Sequence, residues 1–220
     1  MKINAIITGA TGMVGRAILL ECLQEEKVEK VLVVGRKTTG LVHAKLKEIL
    51  VADLNDIASL ENQLSGYNAC FYSMGISSMG LTEEQYSRIT YDITFRFASV
   101  LKKLNPDLVF NYVSGQGTDS SEKGPVMWAR VKGRTENMIL QTGFRDAYMF
   151  RPGIILPEKG VKSATALYNV FYVVFRPLFP LFRRMDSVTT SSRVGKAMIN
   201  SVLYPQTLKH LENRDINLLA

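Results

Sequence analysis

The chain alternates between short apolar runs and longer stretches in which apolar residues recur every three or four positions. The first run, Ile3 to Ile7, leads through a glycine-rich turn to Ile18, Leu19, Cys22 and Leu23 at helical spacing. Further apolar runs cover Val31 to Val34, Lys45 to Val51, Asn68 to Ser73, Leu108 to Val113 and Ala147 to Phe150. Between and after them the spacing predicts helices over Ile57 to Leu64, Glu83 to Leu104, Pro125 to Gln141 and Thr190 to Leu203. Phe95, Phe97, Val100, Leu101 and Leu104 read as the buried stripe of the second of these, which Pro106 stops. Pro125 suits the first turn of the next, and Gly143 its C-cap.

Strands that are apolar throughout belong to a sheet covered on both faces, and their alternation with helices makes that sheet parallel. Right-handed crossovers then give a doubly wound α/β fold with a mainly parallel sheet of six or seven strands. Residues 155–190 break the alternation and read as a small substrate-side insertion within a single domain, 1–220. Ligands of such sheets gather at the carboxyl ends of the strands, so the residues that follow each strand are the first candidates for a site.

Composition narrows the field. The 220 residues, 46% apolar and 21% charged, describe an ordinary globular chain. Cys22 and Cys70 sit in apolar stretches and read as reduced core thiols. The opening Met1-Lys2-Ile3-Asn4 runs straight into a strand, which leaves no room for a signal peptide, and a cytoplasmic protein is expected. Two distant histidines, His43 and His210, argue against a zinc site and against a Ser-His-Asp hydrolase. The net charge is +7, with ten Lys/Arg against four Asp/Glu in residues 151–220. No nucleic-acid recognition motif accompanies that charge, so a solvated basic face or an anionic cofactor explains it.

The turn after the first strand reads Thr8-Gly9-Ala10-Thr11-Gly12-Met13-Val14-Gly15. Strand, glycine turn and helix is the context of a dinucleotide-binding loop. Gly9 would allow the tight turn, Gly12 the approach of a pyrophosphate, and Gly15 the close packing of helix on strand. The amides of Gly12, Met13 and Val14 would face the phosphates, with Thr11 beside them. The second strand ends at Gly35-Arg36-Lys37, where a carboxylate would otherwise grip the ribose hydroxyls of NAD. A guanidinium there can hold a 2′-phosphate, which favours NADP(H). Asp53 and Leu54, after the third strand, are candidates for the adenine edge; a turn or cap role for Asp53 is the competing reading.

These features resemble the short-chain dehydrogenase/reductase superfamily in its atypical, epimerase/dehydratase-like branch. TGATGMVG, VVGRK, Asp53-Leu54, YSMG at 72–75, NYVSGQG at 111–117, VKG at 131–133 and RPG at 151–153 fall in that family's order. Among its members the chain looks most like the small Tat-interacting-protein-like oxidoreductases. The resemblance implies a Rossmann fold, and a cofactor held by Gly9, Thr11, Gly12, Met13, Val14, Gly15, Arg36, Lys37, Asp53 and Leu54. It adds Ser73, Met74, Gly75, Lys132, Pro152, Gly153 and Ile154 to that set. It also implies a catalytic serine, tyrosine and lysine. Ser114 and Lys132 match the first and last; four residues before the lysine stands Trp128 in place of tyrosine. The i and i+4 spacing keeps Trp128 and Lys132 on one helix face. An indole N–H donates a hydrogen bond but does not ionise near neutral pH, so it cannot relay a proton as a phenol does.

Two readings follow. In one, the chain is an NADP(H)-dependent oxidoreductase on a small carbonyl or alcohol, and water or a tyrosine such as Tyr112 or Tyr91 supplies the proton. In the other, it binds NADP(H) as a sensor or scaffold without turnover. The aromatic segment from Leu167 to Arg184, interrupted by Arg176, Pro177 and Pro180, is too broken to span a membrane. It reads as a substrate lid or core contact, with a homodimer or peripheral membrane contact as the alternative. Met79, Leu81, Phe171 and Phe175 are candidates for an apolar substrate pocket.

Overall fold

The computed structural model describes residues 1–161 and 185–220. Its central sheet contains β1 (Ile3–Thr8), β2 (Val28–Gly35), β3 (Leu46–Leu50), β4 (Ala69–Tyr72), β5 (Val109–Val113), β6 (Asp146–Arg151) and β9 (His210–Glu212). The order is β3-β2-β1-β4-β5-β6-β9, and every neighbouring pair is parallel. This is the doubly wound α/β arrangement expected from the apolar runs. β7 (Ile154–Leu156) and β8 (Val188–Thr190) form a separate parallel pair. They bracket most of the expected insertion; its lid, dimer or membrane segment over 167–184, with Phe171 and Phe175, lies outside the described residues.

The continuous apolar character of the strands has a direct cause. Alternate residues of each strand feed opposite cores. Ile3, Ala5, Ile7 and Phe71 pack under α1 (Met13–Gln24) and α6 (Ser191–Leu203), whose Ile18, Leu19, Val194 and Met198 fill the space. Ile6, Leu32, Cys70, Tyr72 and Phe110 pack on the other face against α4 (Ile93–Leu104) and α5 (Met127–Gln141). Each fully buried large apolar side chain contributes about 1.5–3 kcal/mol, so neither face tolerates a polar slip in register. Cys22 and Cys70 are buried free thiols within these cores.

Several helices differ from the sequence pattern. The helix expected over 57–64 is a 3-10 segment, Leu54–Leu60, followed by the single turn α2 (Glu61–Leu64). The long helix over 83–104 is α3 (Glu83–Ser87), a π turn at Arg88–Asp92, and α4. The π turn rephases the helix. Phe97 and Leu101 enter the core, whereas Phe95 is 49% exposed and stacks on Tyr91 instead. α5 begins at Met127, so Pro125 precedes the helix rather than opening its first turn. Gly143 does follow α5 with a positive φ of 78°. The short β7, β8 and β9 and the final helix α7 (Asn213–Leu219) carry too few apolar positions to show a period.

Candidate active site

Among the described residues, two clefts open at the carboxyl ends of the strands. The first, about 340 Å³, is lined by Gly9, Ala10, Thr11, Gly12, Gly35, Arg36, Lys37, Leu54, Ser73, Met74 and Gly75, with Val33 and Val34 at its floor. The turn after β1 explains its shape. Gly9 has φ of 70°, and a Cβ on Gly15 would fall 2.2 Å from the Gly9 carbonyl oxygen. Only a glycine lets α1 start that close to the strand. Gly12 is the N-cap of α1, with no side-chain cap and no acidic residue in the first turn. Met13 and Val14 are the first residues of that helix. Uncapped amides at the positive end of a twelve-residue helix suit a pyrophosphate, and the backbone of this loop is shaped to let one approach.

Arg36 and Lys37 are exposed at the end of β2 and form the far wall of this cleft. A third cation, Arg16, reaches the same corner and donates to Thr39 O at 2.7 Å. Nearby Glu48 accepts from the Thr38 hydroxyl and the Thr39 amide, at 2.6 and 2.8 Å, which fixes the loop that carries the corner. Burial raises the Glu48 carboxyl, but these hydrogen bonds and Arg16 outweigh it and hold it below its usual value. Asp53 accepts from the Asn55 amide at 2.9 Å and so caps the 3-10 segment; Leu54, not Asp53, lines the cleft. Ser73 donates to Thr8 O at 2.7 Å and ties the end of β4 to that of β1.

The second cleft, about 450 Å³, is lined by Ser114, Gly115, Gln116, Trp128, Lys132, Pro152 and Gly153, with Tyr86 and the loop 76–78 opposite. The structure thus brings Ser114, Trp128 and Lys132 together. The register of β5 on β6 runs on past the strands: Ser114 N donates to Phe150 O at 2.9 Å and Gln116 N to Pro152 O at 3.0 Å. Gly153 N donates to Asn213 Oδ1 at 3.1 Å. Ile154 lies in β7, half exposed, and is not among the cleft-lining residues. Met79 is 89% exposed and does not line it either.

Trp128 is half-buried, and its indole packs on the glycine loop: a Cβ on Gly117 would meet the ring at 3.6 Å. Lys132 Nζ lies 3.4 Å from Val113 O and 5.7 Å from the centroid of the Tyr112 ring. Burial pulls its pKa down to about 8, against the opposing pull of Glu136. The two tyrosines named as substitute donors are placed elsewhere. Tyr112 is sealed beneath the sheet end, and burial raises its phenol far above the ordinary value. Tyr91 lies under the Arg134 guanidinium, 4.2 Å from its ring centroid. Tyr86 is the tyrosine in the cleft wall; burial raises its phenol as well. It is held there by α3, which Arg130 clamps to α5 through Glu83.

Behind Ser114 lies a buried ionic cluster. Glu136, one turn beyond Lys132 on α5, is fully buried. It accepts the Ser114 hydroxyl and, at 3.0 Å, Arg151 Nε; a second bond from Arg151 Nη2 makes the pairing bidentate. His210 Nε2 is 3.5 Å from the same carboxylate, and Glu212 is 3.8 Å from Arg151. The sequence offered one signal for this cluster: Trp128, Lys132 and Glu136 follow one another at four-residue steps on a single helix face.

The sequence model of the NAD dependent epimerase/dehydratase family matches residues 5–135. The chain is 29% identical over 162 residues to "Protein FMP52-2, mitochondrial" of Scheffersomyces stipitis, covering 72% of this chain and 69% of that protein. It is 24% identical over 218 residues to the protein HTATIP2 of Rattus norvegicus, covering 97% and 87%. Among solved structures, WbmG of Bordetella bronchiseptica in complex with NAD superposes with a TM-score of 0.71 at 12% identity, covering 96% of this chain and 72% of that one. The ADP-L-glycero-D-manno-heptose-6-epimerase of Helicobacter pylori gives 0.70 at 15%, covering 96% and 75%. At that identity the superpositions speak for the fold. The relatives named mitochondrial overturn the expectation of a cytoplasmic protein. That expectation rested on reduced thiols and the opening residues, and reduced thiols do not distinguish one reducing compartment from another. With its glycine loop, its parallel sheet and more than half of its length matched, the chain belongs to the NAD dependent epimerase/dehydratase family.

Proposed function

We propose that this chain is an NADP(H)-dependent oxidoreductase acting on a small carbonyl or alcohol. The observation that carries the reading is the junction of the two clefts. Gly75 lines the first, and a Cβ built on it would lie 3.9 Å from Lys132 Nζ in the second. A dinucleotide with its pyrophosphate on the α1 amides and its adenosine end at Arg36 and Lys37 would extend its nicotinamide towards that junction. The bound nicotinamide supplies or accepts a hydride. The chain's own residues do the rest. Lys132, whose ammonium carries three N–H donors, holds the ribose with one of them and sets the local charge, and the Trp128 indole covers the cleft over the 115–117 loop. Ser114 sits at the substrate oxygen. Arg36, Lys37 and the neighbouring Arg16 favour a 2′-phosphate over a bare ribose.

The test is twofold. Dissociation constants for NADPH and NADH, measured by calorimetry, should favour NADPH; equal affinities or tighter NADH would refute the cofactor choice. NADPH oxidation against a panel of aldehydes and ketones then compares the wild type, Trp128→Tyr and Ser114→Ala. Ordinary general acid catalysis contributes about 10²–10⁴-fold, so the phenol should raise turnover if position 128 limits it. Turnover indifferent to both substitutions would place the chemistry elsewhere. Tight NADPH binding with no turnover by any variant would establish the sensor reading.

A further inference from the structure

Ser114 can give its hydroxyl proton to one acceptor at a time. Two acceptors are within reach, and both lie on the core side: the Glu136 carboxylate, which it contacts closely, and Phe150 O at 3.2 Å. Glu136 is fully buried and held by a bidentate guanidinium, so it serves as an acceptor. The serine proton is therefore spent inward, and the Ser114 lone pairs are left to the cleft. A carbonyl oxygen also has only lone pairs, so Ser114 in this state gives it no proton. Among the described residues of the cleft walls the ionisable N–H donor is Lys132, on the same helix face as Glu136.

We propose that Glu136 is the positioning residue of this site: it fixes Ser114 as a hydrogen-bond acceptor and leaves Lys132 to protonate the substrate oxygen. The inference rests on the oxidoreductase reading. In the reducing direction the carbonyl carbon receives a hydride from the dihydronicotinamide, which is oxidised, and the C=O π bond breaks. The oxygen takes a proton from Lys132 Nζ, leaving a neutral amine that solvent reprotonates. The new hydroxyl donates to Ser114 Oγ, whose own proton remains on the Glu136 side. The substrate class that this arrangement holds best is the alcohol, bound through its O–H.

The charges around the pair are defined. Lys132 is faced by Glu136 from its own helix and by Tyr112 from β5, and shares the cleft with Ser114, just after β5, and with Tyr86 of α3. Glu136 is faced by Arg151 from β6 and by His210 from β9, with Glu212 beyond Arg151. Burial lowers the His210 imidazole below its usual value. Glu136 is the group that raises Lys132 against its burial.

Proton and carbon NMR of the protein without cofactor test the inference apart from turnover. The Ser114 hydroxyl proton should appear as a slowly exchanging resonance that is absent in Ser114→Ala. In Glu136→Gln that resonance should be lost or displaced, and the ¹³Cε titration of Lys132 should move to lower pH. Should Glu136→Gln not fold, because Arg151 is stranded, the double variant Glu136→Gln/Arg151→Met removes both charges and is read in the same way. A second arm measures NADPH-driven reduction of 4-nitrobenzaldehyde. Lys132→Met should lower kcat by about 10²-fold or more. Glu136→Gln should shift the alkaline limb of kcat to lower pH. An unchanged Ser114 resonance and an unmoved Lys132 titration in the Glu136 variants would overturn the inference even if the enzyme turns over. The expected spectra without reduction of any substrate would instead reject the oxidoreductase reading and leave the polarity of Ser114 established.

Discussion

The two halves of the sheet make their sites by different means. The half built from β1, β2 and β4 uses backbone: a glycine turn, an uncapped helix end and an exposed basic corner. The half built from β5, β6 and β9 uses side chains, anchored by a carboxylate and a guanidinium taken out of water. Backbone cradles are robust to charge changes and intolerant of added volume. Buried ion pairs are the reverse: they tolerate replacement of both partners far better than loss of one.

Substitutions can separate the two cases. The largest effect is expected from Arg151→Met, which strands Glu136 in the core. Loss of one partner of a buried pair costs about 3–5 kcal/mol, read as a lowered urea midpoint at constant slope. A loss under about 1 kcal/mol would show that the cluster is wetter than its geometry indicates. Gly15→Ala should come next, because the new methyl meets the Gly9 carbonyl at 2.2 Å. Overpacking costs about 1–3 kcal/mol, and here the obstacle is backbone, so the upper end is expected together with lost nucleotide binding. Full stability would mean that α1 can slide.

Arg36→Ala should leave stability unchanged and weaken NADPH by about 1.5–3 kcal/mol, the strength of a charge-assisted hydrogen bond, with little effect on NADH. Equal weakening of both cofactors by calorimetry would place Arg36 away from the 2′-phosphate.

The last effect is confined to one pH window. Burial disfavours the Lys132 ammonium and pulls its pKa down to about 8, below the ordinary 10.5. Between those values the unfolded chain holds the extra proton, so this residue makes stability rise with pH across that window. Lys132→Met should flatten the rise in thermal midpoint between pH 8 and 10.5. An identical profile for both proteins would show that Lys132 is solvated.

The same contrast explains what the sequence disclosed. A backbone cradle is written contiguously: an apolar run, glycines at fixed steps, then a helix. Thr8 to Gly15 could therefore be read as a unit, and Arg36-Lys37 fell at a strand end already located. Ser114, Trp128 and Lys132 were legible through the order of motifs that the family shares. Beyond the four-residue step from Lys132 to Glu136, the ionic cluster was not, because Glu136, Arg151 and His210 come from three elements and carry no common spacing. β9 was missed because it has three residues and one buried apolar side chain, Leu211. The substitute tyrosine was misjudged for a related reason. Tyr112 and Tyr91 are near in sequence, but Tyr112 alternates from β5 into the core and Tyr91, in the π turn, lies under Arg134.

The position of β9 also bears on how the chain is made. His210–Glu212 pairs with Met149–Arg151, some sixty residues earlier, and so leaves the ribosome well after its partner. The first five strands neighbour one another in space and find their strand partners by residue 113, but the face under α1 is closed by α6, Ser191–Leu203. A nascent chain can therefore pair these strands early, while the face that α6 covers and the edge of β6 both stay open. Domains form N-terminal first during synthesis, and an unpaired strand edge is where such intermediates aggregate. The segment from α6 to β9 is thus a latch in geometry: it covers one face of the sheet and pairs the edge of β6.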